Sequence, residues 1–214
     1  MQFFRISIII SSLAAVASAQ AIAFGPGSGG TINRTTSNGH STNWGEFRST
    51  IQVNMPNMFI QNLNSVTLTG LRHPLIGSFR MYVRMPNASR FFWLYSSGAG
   101  ELAGVNGTYT LVDTPGVTTL SQRAKQGGTV PTGTYRATME DPNDFENPLG
   151  TNWDHIDLAP VSGTWELVIE NYDRNTNGSI TSWSFNADVT AVPEPATMLV
   201  LAAGAMALVK RSRR

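Results

Sequence analysis

The segment 163–189, GTWELVIENYDRNTNGSITSWSFNADV, constrains the fold more than any other stretch. Trp165, Leu167 and Ile169 alternate with Glu166 and Glu170, and Trp183, Phe185, Ala187 and Val189 alternate with Ser182, Ser184, Asn186 and Asp188. Period-two alternation on both sides of an Asp/Asn/Gly-rich turn predicts two half-buried antiparallel strands. One hairpin cannot bury two tryptophans and a phenylalanine, so the rest of the chain must supply a second layer.

The remaining sequence suits that demand. Its 214 residues, 41% hydrophobic, can build one ordinary core. Twenty glycines and eleven prolines favour short strands and turns over long helices. There is no cysteine, which removes disulfides, Cys-based zinc sites and thiol nucleophiles, so packing must hold the fold. Residues 20–49 read as a flexible lead-in, Gly- and Ser-rich with Ile22, Phe24 and Ile32, that pairs at most at an edge.

From residue 50 the texture changes to strands. Ile51 and Val53 precede Pro56, and Val66, Leu68 and Leu71 flank a bulge at Gly70. Phe79, Met81, Val83 and Met85 alternate, and Phe91-Phe92-Trp93-Leu94-Tyr95 is a strand covered on both faces. Roughly eight strands at 8–12-residue spacing over 50–190 predict an all-β, two-sheet, jelly-roll-like sandwich.

Both ends read as processing segments. Arg5, the apolar run 6–16 and the Ala17-Ser18-Ala19 exit predict a signal peptide over 1–19, cut to leave Gln20 first. The tail, 192–214, carries Pro193-Glu194-Pro195, a mostly apolar stretch 196–209, and Lys210, Arg211, Arg213 and Arg214. This order resembles the PEP-CTERM sorting signal, which implies processing by an exosortase in the envelope of a Gram-negative bacterium. As a helix, 196–209 would reach about 21 Å, short of the ~30 Å hydrocarbon core. That suits a transient transmembrane helix with its basic end in the cytoplasm, although a permanent single-span anchor is the alternative. Loss of Arg5 and the four basic tail residues leaves ten bases against fourteen acids over 20–195, about −4 rather than +1. Nucleic acid is therefore not an expected partner.

Gly163-Thr164-Trp165, the turn, and Ser182-Trp183 resemble the end of the P domain, or homo B domain, that accompanies subtilisin-like proprotein convertases. Leu71, His73, Pro86, Asn87, Asp113 and Gly133-Thr134-Tyr135-Arg136 extend the likeness. Family acidic residues are missing near Gly77-Ser78-Phe79 and in Ser96-Ser97-Gly98-Ala99-Gly100. The resemblance implies a β-sandwich module whose catalysis, in convertases, lies in another domain, and a fold alone names no activity.

Two acidic sets have the oxygen donors that calcium takes. Asp173, Asn175 and Asn177 before Gly178 match the opening of a calcium loop, but Ser184 stands where the bidentate Glu belongs. An Asn/Gly turn explains this segment without metal. Asp141, Asp144, Glu146, Asp154 and Asp157 form the second set, and a solvated loop is the alternative there. The expectation is no cofactor. His40, His73 and His155 are the three histidines, and neither a G-x-S-x-G elbow nor an H-E-x-x-H helix is present. His73, ahead of Pro74, reads as a turn residue.

These features predict a secreted, non-catalytic β-sandwich protein sorted to the cell surface or extracellular matrix. A second reading is a polysaccharide-binding module with Trp44, Trp93 or Trp153 as an exposed platform. A third is an accessory domain acting with a protease or hydrolase.

Overall fold

In the computed structural model, residues 19–37, 42–43, 45–86, 91–96, 101–138, 153 and 156–191 are described. In chain order the strands are β1 (Gln20–Ile32), β2 (Thr36–Ser37), β3 (Thr42–Asn43), β4 (Gly45–Val53), β5 (Met58–His73), β6 (Phe79–Arg84), β7 (Phe91–Ser96) and β8 (Gly104–Val112). A short helix α1 (Leu120–Ala124) then precedes β9 (Thr129–Val130), β10 (Gly133–Arg136), β11 (Gly163–Asn171) and β12 (Gly178–Ala191). One sheet has the order β1-β12-β5-β8-β10, with β9 also paired to β8, and the other has the order β4-β11-β6-β7. The two bury a shared core, as an all-β sandwich requires.

The expected hairpin is not one. β11 pairs with β4 and β6, whereas β12 pairs with β1 and β5, so the two strands lie in opposite sheets. Residues 172–177 form an arch between layers. Alternation identifies a strand with one buried face but not its hydrogen-bonded neighbour, because a facing sheet buries that face equally well. Across the arch the Trp165 and Phe185 rings approach to 4.6 Å between centroids, and Trp183 stacks beyond at 6.2 Å from Phe185. Both indoles are fully buried and both N–H groups are used. Trp165 Nε1 donates to the Val161 carbonyl at 2.8 Å, and Trp183 Nε1 donates to Ser49 Oγ at 3.0 Å. Ser49 Oγ–H in turn donates to the Ser28 carbonyl at 2.6 Å.

The lead-in is corrected as well. Residues 20–32 are the edge strand β1, laid along β12 from Gln20 opposite Val189 to Ile32 opposite Gly178. β4 starts at Gly45 rather than near residue 50, and Phe47, Ser49, Ile51 and Val53 point inward in strict alternation. The glycines of β1 serve close approach: a Cβ on Gly27 would overlap the Trp183 indole. Gly70 does mark an irregularity, with φ +64° and a register shift against β8 between Leu68 and Leu71. β7 is covered on both faces as expected. Phe92, Leu94 and Tyr95 enter the core, while Trp93 packs with Tyr82, Val168 and Phe91 on the outer side.

The jelly-roll expectation meets one difference: β9 and β10 run parallel to β8. The segment between β8 and β10 includes α1, which gives the chain length to cross over and return in the same direction. Thr119 caps α1 through a reciprocal box with Gln122.

Removing either central indole empties a volume that both sheets line. Trp165→Ala or Trp183→Ala is expected to cost about 3–5 kcal/mol, read from urea midpoints at constant slope. Ser49→Ala removes the acceptor and strands a buried N–H, so a loss of about 1–3 kcal/mol is expected. An unchanged midpoint in the tryptophan variants would refute the cross-sheet core.

Candidate functional site

The register of β12 sorts the molecule into two poles. Its C-terminal end pairs Val189 with Gln20 of β1 and Ala191 with Met58 of β5. The expected mature terminus and the root of the tail therefore emerge at one pole. At the other, Gly178 meets Ile32, Ser179 meets Arg72, and His73 meets Val105. Fourteen residues separate the poles along β12, roughly 40 Å at about 3.3 Å per residue. Ala19 and Gln20 are both exposed, and the ladder starts at Gln20. Ala17, Pro193, Glu194, Pro195 and the stretch 196–209 lie outside the described residues. No helix among the described residues is long and apolar enough to cross a membrane.

The arch uses its polar side chains on itself. Asn171 is fully buried, with Oδ1 accepting from the Asp173 N–H at 2.9 Å and Nδ2 donating to the Thr176 carbonyl at 2.9 Å. Asp173 Oδ1 accepts from the Asn175 N–H at 2.8 Å, closing an Asx turn. Asn177 Oδ1 accepts from the Arg34 N–H at 2.8 Å. The oxygens that a calcium loop would direct at a cation thus organise the turn. Of the second acidic set only Asp157 is described, in an exposed turn, and Asp141, Asp144, Glu146 and Asp154 lie outside the described residues. No group of three His, Asp or Glu able to hold a metal occurs among the described residues.

His73 is the last residue of β5 rather than part of the turn, and its ring meets backbone groups of the turn that follows. Its ring is buried against Phe79 at 4.4 Å between centroids. Nδ1 lies 2.8 Å from the Leu75 carbonyl and 3.1 Å from the Leu75 N–H, and Nε2 lies 3.3 Å from the Thr176 carbonyl, with Asp173 Oδ2 at 4.0 Å. His40 and His155 lie outside the described residues. Another polar cluster is internal: Glu101 accepts from the Tyr95 and Ser121 hydroxyls, and all three residues are buried. This cluster joins α1 to β7.

The tryptophan platform is not formed by the two described candidates. Trp93 is 8% exposed and Trp153 is 4% exposed. Trp153 packs on Phe92 at 5.3 Å, donates Nε1 to the Trp93 carbonyl at 3.2 Å, and anchors its N–H on Asp113 Oδ2 at 2.6 Å. Trp153 belongs to the main core and Trp93 is covered on the outer side by Tyr82, Val168 and Phe91, which residue type alone does not reveal. Trp44 lies outside the described residues.

The outer face of the four-stranded sheet is instead a charged lattice. Glu166 holds Arg48 at 3.0 Å and Arg84 at 3.5 Å, while Glu170 accepts from Tyr172 at 2.5 Å and Tyr82 at 3.3 Å. Burial first, then the Glu170 carboxylate, holds the Tyr172 phenol well above its ordinary range. Burial and Glu170 raise Tyr82 in the same direction.

Sequence reasoning missed a shallow cleft of about 480 Å³ at the pole opposite Ala191. Arg72, Asn106, Thr129, Asn177 and Ser179 contribute to its walls. They come from the ends of β5, β8, β9 and β12 and, for Asn177, from the arch, so no local spacing could announce them.

A model of the PEP-CTERM protein-sorting motif matches residues 191–214. No curated protein and no solved structure matches the chain. The motif implies recognition by an exosortase, export, and sorting to the cell envelope.

Two outcomes are expected. Millimolar calcium should leave the melting temperature unchanged, because a cation would have to displace the arch's own hydrogen bonds; a rise of many degrees that chelator reverses would contradict this. Second, a phenol raised in the folded state contributes stability that is complete below the unfolded value near 10 and is lost as pH rises toward the folded value. Denaturant titrations should show stability falling above about pH 10, with a shallower fall in Tyr172→Phe.

Proposed function

We propose that this chain is an exported, non-catalytic β-sandwich protein that an exosortase separates from its tail at the envelope of a Gram-negative bacterium, for display at the surface or in the extracellular matrix. The observation that carries the reading is the match at 191–214, which begins at Ala191, the last residue of β12. The motif therefore overlaps the ladder only at Ala191, which pairs with Met58.

Three physical points support it. Cleavage near Pro195 would spare β12, whose Ala187 and Val189 are buried. Proline fixes φ and lacks an N–H, so Pro193 and Pro195 keep the backbone extended for a protease rather than letting the apolar helix grow outward. Cleavage after Ala19 would likewise remove nothing from β1, which begins at Gln20. The non-catalytic part rests on His73, whose ring nitrogens meet backbone groups, and on the enclosed Glu101–Ser121 pair. Kinship with P domains is the structural part of the proposal, supported by the two-sheet architecture and by the Gly133–Arg136 and Gly163–Asn171 strands that carry the resemblance.

The test replaces Pro193-Glu194-Pro195 by alanines in a host that has an exosortase. Intact-mass measurement should find native protein ending near Pro195 and the variant accumulating as full-length precursor in membranes. Native protein still ending at Arg214 would mean that 196–209 is a permanent anchor.

A further inference from the structure

The cleft at the distal pole has a one-sided hydrogen-bonding character. Arg72 is exposed, and its Nε donates to Asn106 Oδ1 at 2.8 Å. An arginine can only donate, so this bond fixes the Asn106 amide with its oxygen occupied and its NH₂ group free. The Arg34 backbone N–H fixes Asn177 in the same way through Oδ1, at 2.8 Å. In each amide the oxygen accepts from a donor-only partner, and the NH₂ group makes no hydrogen bond among the described residues.

Among the described residues no aspartate or glutamate lines the cleft and Arg72 has no ion pair. The nearest acid named, Asp173, does not line the cleft but lies 4.0 Å from the ring of His73, which does. With Nε engaged, the guanidinium keeps its Nη pair for a planar two-oxygen anion, the geometry in which arginine binds carboxylates best. Thr129 and Ser179 add hydroxyls. The floor at Gly104, Gly128 and Gly178 carries no side chains that would fill it. The volume, about 480 Å³, lies within the range of about 300–1,000 Å³ common for small-ligand sites.

We propose that this cleft binds a sugar acid, with the ligand carboxylate on the Nη edge of Arg72 and its hydroxyls on the Asn106 and Asn177 amides, Thr129 and Ser179. A single cation among several neutral donors fits a polyhydroxylated carboxylate better than a bare anion, which would leave the amides unused. The same chemistry occurs in a free uronic acid and at a residue of an acidic polysaccharide. The cleft's chemistry is independent of how the tail is processed, and its pole faces away from the root of the tail.

The experiment is calorimetric titration of the full chain with galacturonate, trigalacturonate, galactose and acetate. Galacturonate should bind at least tenfold more tightly than galactose or acetate. Trigalacturonate much tighter than the monomer would identify a polysaccharide, and equal affinity a free sugar acid. Arg72→Gln should lower galacturonate affinity at least tenfold, and Asn106→Ala, which frees the guanidinium, about three- to tenfold. Both side chains are exposed, so both variants should keep the native melting temperature. Absence of galacturonate binding, equal binding of galactose or acetate, or full binding by Arg72→Gln in a folded protein would each overturn the proposal.

Discussion

The contact between Trp165 and Phe185 across the sandwich is the constraint from which the rest of the architecture follows. The two residues belong to consecutive strands, yet they face each other from opposite sheets. For that to happen the chain must leave one layer at Asn171 and enter the other at Gly178. The buried amide of Asn171 makes this feasible by satisfying backbone groups of the arch on both sides. Without such partners, a polar loop closed over an apolar core would carry unpaired donors and acceptors. Packing and turn chemistry are therefore one device: the aromatics need two layers, and the arch lets a single sequence segment seed both.

The fold was legible where it rests on local pattern. Alternation located β4, β6, β11 and β12, and Gly70 announced its bulge, because side-chain period and positive φ are properties of a few adjacent residues. Partnership was not legible. β11 and β12 carry the pattern of a hairpin because burial against a facing sheet leaves the same trace as burial against any other apolar surface. β1 was misread for a different reason. Its glycines lower strand propensity, but they are needed because Gly27 must admit the Trp183 indole, a requirement set by a residue more than a hundred positions away.

The candidate sites divide along the same line. Residues 191–214 were readable because a sorting signal acts as a linear string that a membrane and a protease meet in order. The acidic and asparagine-rich turn also looked informative, yet its oxygens accept from backbone N–H groups at Asp173, Asn175 and Arg34, a use that residue composition shares with metal binding. Tryptophan content misled similarly, since Trp93 and Trp153 have the residue type of a glycan platform and the burial of core residues. The distal cleft drew no attention in sequence because Arg72, Asn106 and Asn177 become neighbours only through strand register.

That register also gives β12 two duties. Its last residues lead into the sorting motif, while its first residues, Gly178 and Ser179, form part of the cleft. Between them the strand is hydrogen-bonded on both sides, to β1 and β5, so it is an interior strand rather than an edge. An edge strand leading into a processed tail would leave unpaired N–H and C=O groups beside the cut, an invitation to pair with other chains. Here β12 is paired on both sides as far as Val189, beyond which Thr190 and Ala191 pair with β5 alone, and the exposed edge falls to β1, where Pro26 and the irregularity between Phe24 and Gly27 interrupt the row of donors. The proposed cleavage near Pro195 would fall beyond the ladder, at the end of β12 away from Gly178 and Ser179.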